Sequence, residues 1–104
     1  MYKFLILCLL FFSCNAKAVT GSQLLNACKE STDSFCIGYV SGVLDTTVSV
    51  SDTGKFFCIP DGVTYDQLMK ITVKYLEQNP KNLHWTAFAL VNNAILDAYG
   101  CRKN

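Results

Sequence analysis

Six cysteines, one histidine and eight carboxylates are the side chains here that could do covalent or acid–base chemistry. A thiol nucleophile needs a free thiolate, ideally beside a histidine, and His84 is the sole histidine. A zinc site would need reduced cysteines in close-spaced pairs, whereas Cys28 and Cys36 lie eight positions apart. Asp33, Asp45, Asp52, Asp61, Asp66, Glu77 and Asp97 show no paired arrangement that would make one an acid and another a base. Asp61-Gly62 reads as a turn, Asp66 as a charge favoured at a helix start, and His84 as a surface or packing residue. The expectation is a protein that is not an enzyme, with no catalytic residue, metal or cofactor.

What these residues do instead depends on where the chain resides. Lys3, the apolar run Leu5 to Phe12 and the small-residue site Ala16-Lys17-Ala18 form an export signal, so residues 1–18 read as a signal peptide and the mature chain as 19–104. Lipoprotein processing at Cys14 is the minor alternative, with Ser13 before the cysteine but no Leu three residues ahead of it. No apolar stretch approaches the roughly 20 residues a spanning helix requires. Cleavage removes Lys3 and Lys17 from nine basic residues, leaving seven against eight acidic and a formal net charge of −1. No basic face suggests nucleic acid. Cleavage also removes Cys8 and Cys14, leaving Cys28, Cys36, Cys58 and Cys101. An even count in a small exported chain reads as a disulfide framework, with three pairings formally possible.

The elements that position those cysteines are helical. The pattern is that of one all-α domain, a small disulfide-stapled bundle of about four helices with no sheet. A short first helix has Ser22 as possible N-cap after Gly21, carries Leu24, Leu25 and Ala27, and ends near Cys28 at the polar run Lys29 to Asp33. The second is capped by Asp33 or Ser34 and sets Cys36, Tyr39, Val40, Val43, Leu44 and Thr47 on one core face. Gly38 and Gly42, with Ser41, make a smooth strip expected to pack against another helix of the same chain. Beyond Val48 the polar, β-branched stretch Ser49 to Lys55 reads as fraying into a loop.

The third helix has the clearest start: Thr64 as N-cap with Gln67 three residues on, and Val63 with Leu68 as hydrophobic staple. Leu68, Ile71 and Tyr75 form one apolar line, and Met69, Val73 and Leu76 a second. Asn79-Pro80 is expected to cap a fourth helix running to Tyr99, with Leu83, Trp85, Phe88, Leu90, Val91 and Ile95 among residues that make it apolar nearly all round, hence central. Gly100 is its expected C-terminal cap. Tyr39, Tyr65, Tyr75, Tyr99 and Trp85 read as core or half-buried, Tyr65 being the most exposed. Cys28 ends one helix and Cys36 begins the next, while Cys58 precedes the third helix and Cys101 follows the fourth. Antiparallel packing therefore predicts the pairs Cys28–Cys36 and Cys58–Cys101.

Over Leu25 to Cys101 the chain resembles the Rap/Tai family of type VI secretion amidase immunity proteins. The carriers are Leu25 through Cys28, Cys36-Ile37-Gly38-Tyr39 with Gly42-Val43, Phe57 through Thr64 with Gln67-Leu68, Tyr75-Leu76, Pro80, His84 and Ala98 through Cys101. Gly100 departs from the Pro common before the last cysteine. The resemblance implies a periplasmic protein that binds a cognate peptidoglycan amidase effector and occludes its active site, and that forms homodimers. Contact residues do not transfer by motif. The loop Ser49, Val50, Ser51, Asp52, Thr53, Gly54 and Lys55, with Tyr65 beside the third helix start, is the expected contact, because a polar loop joining two stapled halves can vary without harming the core. The alternative is a periplasmic stress chaperone of the small helical acid-stress type, which would need an apolar surface released by acid unfolding.

Overall fold

The computed structural model describes residues 17–30, 34–50 and 56–101. These residues form four α-helices: α1 (Gly21–Lys29), α2 (Ser34–Val50), α3 (Tyr65–Gln78) and α4 (Ala87–Tyr99). A short 3-10 turn, Pro80–Asn82, precedes α4. The fold is all-α. Strand-like pairing among the described residues is confined to two isolated antiparallel bridges, Thr20 with Thr86 and Phe57 with Gly100. Most of the expected signal peptide (residues 1–16), part of the α1–α2 loop including Asp33 (31–33) and most of the expected contact loop (51–55) lie outside the described residues. No described helix is long and apolar enough to cross a membrane.

The core follows the helical periodicity of each segment. α1 contributes Leu24 and Leu25, α2 Val40, Val43 and Leu44, α3 Leu68 and Leu76, and α4 Ala87, Leu90, Val91 and Ile95. Every helix touches the other three. Each Leu, Ile or Val fully withdrawn from water contributes roughly 1.5–3 kcal/mol, so these side chains dominate the stabilisation of so small a bundle. Thr72, which the apolar lines of α3 left out, is fully buried. Its hydroxyl donates to the Leu68 carbonyl at 2.9 Å, so no polar atom is left unpaired.

Both expected disulfides form, Cys28–Cys36 and Cys58–Cys101, each with Cα atoms 5.0 Å apart. The second sits in a corner held by backbone as well. Cys58 N–H donates to the Tyr99 carbonyl and Cys101 N–H to the Phe56 carbonyl. Next to it Val63 N–H reaches back to the Pro60 carbonyl across a turn in which Gly62 adopts φ 92°, a conformation that favours glycine. The turn delivers the chain to Thr64, which caps α3 reciprocally: Gln67 N–H donates to Thr64 Oγ1 at 3.2 Å and Thr64 N–H to Gln67 Oε1 at 2.8 Å. The expected capping box is therefore present.

Four expectations are corrected. The cap of α1 is Thr20 rather than Ser22, again in a reciprocal box with Gln23. The last helix does not start at Pro80. Its cap is Thr86, whose hydroxyl accepts from Ala89 N–H, because the segment before it is held against the start of α1. There Gly21 N–H donates to the Trp85 carbonyl, Ser22 N–H to the Leu83 carbonyl, and Ala87 N–H to the Val19 carbonyl. These tertiary bonds claim backbone groups that a longer helix would have used. As a result Trp85 and Phe88, expected in the core, are 44% and 46% exposed, and α4 buries one stripe rather than its whole circumference. Gly38 and Gly42 do not pack internally: both are exposed, and a Cβ on either would meet nothing within 4 Å. The glycine that permits close packing is Gly21, where a Cβ would run into the Leu90 side chain and lie 3.2 Å from the Leu83 carbonyl oxygen. Gly100 occupies the C-cap of α4 as expected, but with extended backbone.

Candidate protein-interaction site

The end of α2 is open to solvent. Its last residues, Val48, Ser49 and Val50, are exposed, Val50 at 72%. Of the expected contact residues, Ser49 and Val50 thus belong to the helix rather than to a loop, while Ser51, Asp52, Thr53, Gly54 and Lys55 lie outside the described residues. Tyr65, the remaining one, opens α3 and is exposed as expected. The structure brings Ser49 and Tyr65 to one cleft of about 660 Å³, whose walls come from Leu44 and Val48 of α2, Ile59 and Val63 before α3, and Leu68 within it. One ionisable carboxylate, Asp45, lines the cleft, and the Tyr65 hydroxyl donates to its Oδ1 at 3.4 Å.

Sequence reasoning missed Asp45 and the apolar walls. Asp45 reads as an ordinary solvent-facing helix residue, and nothing local connects it to a tyrosine twenty positions away. Only the packing of α2 on the start of α3 makes a cleft of them.

On another side of α2 lies a surface of different character. Two shallow grooves share Phe88: one runs over Gly38, Tyr39, Gly42, Val43 and Thr46, the other over Thr47, Val50, Phe56, Phe57, Asn92 and Leu96. No charged side chain among the described residues lines either. Phe35 extends the first through its ring contact with Tyr39, centroids 6.0 Å apart. Between the helices, Thr47 Oγ1 donates to Asn92 Oδ1 at 2.7 Å, and the Asn92 amide donates to the Phe88 carbonyl at 2.9 Å. Burial pushes the Tyr39 phenol above its usual range, a shift that hydrogen bonding with the Phe88 backbone partly opposes. The i, i+4, i+8 spacing of Phe88, Asn92 and Leu96 is the available signal for this face, but Phe88 reads in the sequence as part of an apolar circumference and Asn92 and Leu96 carry no mark of their own.

Chemistry-bearing groups elsewhere are spread out. His84 stands edge-on to Trp85, with ring centroids 6.3 Å apart. Asp66 pairs with Lys70 one turn along α3, 3.0 Å away. All four described cysteines are in disulfides, and no cluster of three His, Cys, Asp or Glu among the described residues could hold a metal ion. What the described residues offer is surface: a carboxylate-bearing cleft on one side of α2 and, on another, an apolar face that carries no charge among them.

The comparison with protein families matches residues 20–101 to the model described as Rap1a immunity proteins, a span that covers all four helices and both disulfides. Searches of curated proteins and of solved structures found no match.

Proposed function

We propose that this chain, which belongs to the Rap1a immunity proteins, is exported to the periplasm. There it binds a cognate peptidoglycan amidase effector of a type VI secretion system and blocks its active site. The observation that carries this reading is the family match over the whole helical domain. Two disulfides in so small a domain fit an oxidising compartment and supply stability that its core alone would lack. An inhibitor needs a rigid body and an exposed edge. The stapled corner supplies the first, and the end of α2 with Tyr65 supplies the second.

The chain acts as a homodimer through the α2–α4 face. Its exposed Phe35, Val50, Phe56, Phe88 and Leu96 form an apolar surface, and Gly38 and Gly42 leave room there for a second backbone. A face with no charge among its described residues can meet its own copy with little like-charge repulsion, and paired faces would cover apolar area that is otherwise left in water.

The test uses the mature chain and any effector amidase encoded beside its gene, or in its absence a type VI secretion amidase, assayed on purified peptidoglycan. Stoichiometric inhibition and a stable complex are expected. Absence of both overturns the reading, and suppression of client aggregation at low pH in their place would favour the chaperone. For the dimer, light scattering after size exclusion should give twice the protomer mass for the parent and the protomer mass for Phe88→Asp.

A further inference from the structure

We propose that the cleft between α2 and the start of α3 seats a basic side chain of the effector, arginine in preference to lysine, with Asp45 as its counter-ion. This rests on the inhibitory reading above and names the chemistry of its contact. The cleft, about 660 Å³, is large enough for one long side chain with its flanking backbone. Its walls at Leu44, Val48, Ile59 and Val63 are apolar, and Asp45 supplies a single negative charge. That charge has no basic partner among the described residues, where the ion pair present is Lys70–Asp66. The residues one turn away on α2, Ser41 and Ser49, are neutral.

A cleft with apolar walls and one carboxylate among its lining residues suits an amphipathic cation. Lysine and arginine are the side chains that lay a methylene stem along apolar walls while keeping charge at the tip. The two parts of the site have different tasks. An exposed ion pair alone adds little affinity, so the stem against the walls supplies most of the binding, and Asp45 selects the sign of the tip. Tyr65 decides between the two cations. Its hydroxyl donates to Asp45 Oδ1, leaving Oδ2 free, and its ring stands at the same site, where a planar guanidinium can stack. Glutamate or aspartate in the same position would face Asp45 directly and be rejected.

The test is a two-dimensional NMR titration of the mature chain with a doubly capped arginine amide, alongside capped norleucine and capped glutamate. The arginine probe should give saturable shifts at Asp45, Val48 and Tyr65, with a Kd on the order of 1 mM for a ligand of that size. The norleucine probe, which lacks both the charge and the stacking plane, should bind about tenfold more weakly and the glutamate probe not at all, and Asp45→Asn should weaken arginine about threefold. The melting temperature of Asp45→Asn should match the parent, since the residue is exposed. No saturable shift with arginine, equal binding of norleucine, or an Asp45→Asn chain that binds like the parent would each overturn the proposal. A second arm separates it from the reading beneath it. If Asp45→Lys inhibits the amidase as well as the parent, the basic-anchor proposal falls and the inhibitory reading stands. If the parent itself binds no amidase, the inhibitory reading falls and takes the anchor with it.

Discussion

The corner from Phe57 to Leu68 and the end of α2 lie next to one another yet are built on opposite principles. At the corner one short segment carries a disulfide to Cys101, a turn that uses Gly62 with positive φ, a reciprocal Thr64–Gln67 cap, and backbone bonds to the end of α4. At the end of α2 three successive residues, Val48 to Val50, are exposed, and the last turn has no basic side chain to complement the helix dipole. The difference teaches a division of labour. Stability is concentrated where the chain contacts itself, and the exposed end is left with little structural work, which frees its residues for a partner. Substitutions of the corner's disulfide and cap should therefore change stability with little direct effect on recognition, whereas substitutions on the exposed sides of α2, and of the exposed corner residues that line the cleft, should do the reverse.

The largest expected effect is at the corner's disulfide. Cys58 and Cys101 are 43 residues apart, against 8 for Cys28 and Cys36. The loop-entropy relation gives about 4 kcal/mol for the longer loop and about 2.5 kcal/mol for the shorter. Replacing Cys58 and Cys101 by alanine should remove a large part of a stability that for domains in general is only about 5–15 kcal/mol, and chemical denaturation would measure it. Equal losses from the two paired replacements would mean that loop length does not govern them. Any inhibition lost with Cys58 and Cys101 should return when the protein is assayed well below its lowered melting temperature.

Next in size is the cap. Thr64→Ala leaves the Gln67 N–H without its side-chain acceptor and should cost about 1 kcal/mol. The proposed inhibition of an amidase by folded protein should stay unchanged, even though the neighbouring residue is Tyr65. A Thr64→Ala chain that keeps its stability but loses inhibition would break the proposed division, because it would place the cap itself in the contact.

The same contrast explains which features were legible in the sequence. The α3 start could be read because its signals are local: Val63, Thr64, Gln67 and Leu68 specify cap and staple within six residues. The disulfide pairs followed from helix order. The start of α4 could not be read. Asn79-Pro80 is a reasonable local helix start, but the backbone bonds of Leu83, Trp85 and Ala87 run to residues 19–22, more than sixty positions away. Thr20, followed three residues later by Gln23, has the spacing that revealed Thr64, yet it was passed over for Ser22, which lies closer to the apolar run. The cleft was half legible. Ser49 and Tyr65 were chosen for exposure and loop character, whereas Asp45 joins them only through the packing of α2 on the start of α3. Gly38 and Gly42 were recognised as a strip permitting close approach, but spacing alone does not tell an internal neighbour from an external one.

That strip gives the smallest effect and the most discriminating one, because its sign is opposite to the others. Gly42 lies within α2, is exposed, and has nothing within 4 Å of a Cβ placed on it. Alanine there restricts the unfolded chain and should stabilise the protomer by about 0.5–1 kcal/mol. An exposed helix interior with no other duty would gain from that substitution, so two glycines one turn apart forgo stability at no internal packing benefit. If a second copy approaches this strip, Gly42→Ala should raise the protomer's resistance to denaturant while weakening the dimer, measured as a shift of the monomer–dimer midpoint to higher concentration. Stabilisation with an unchanged midpoint would remove the strip from the dimer contact and leave Phe88 and Leu96 to form it alone. A loss of stability would mean that the face is not open in solution, and would undo the contrast between the corner and α2 on this side.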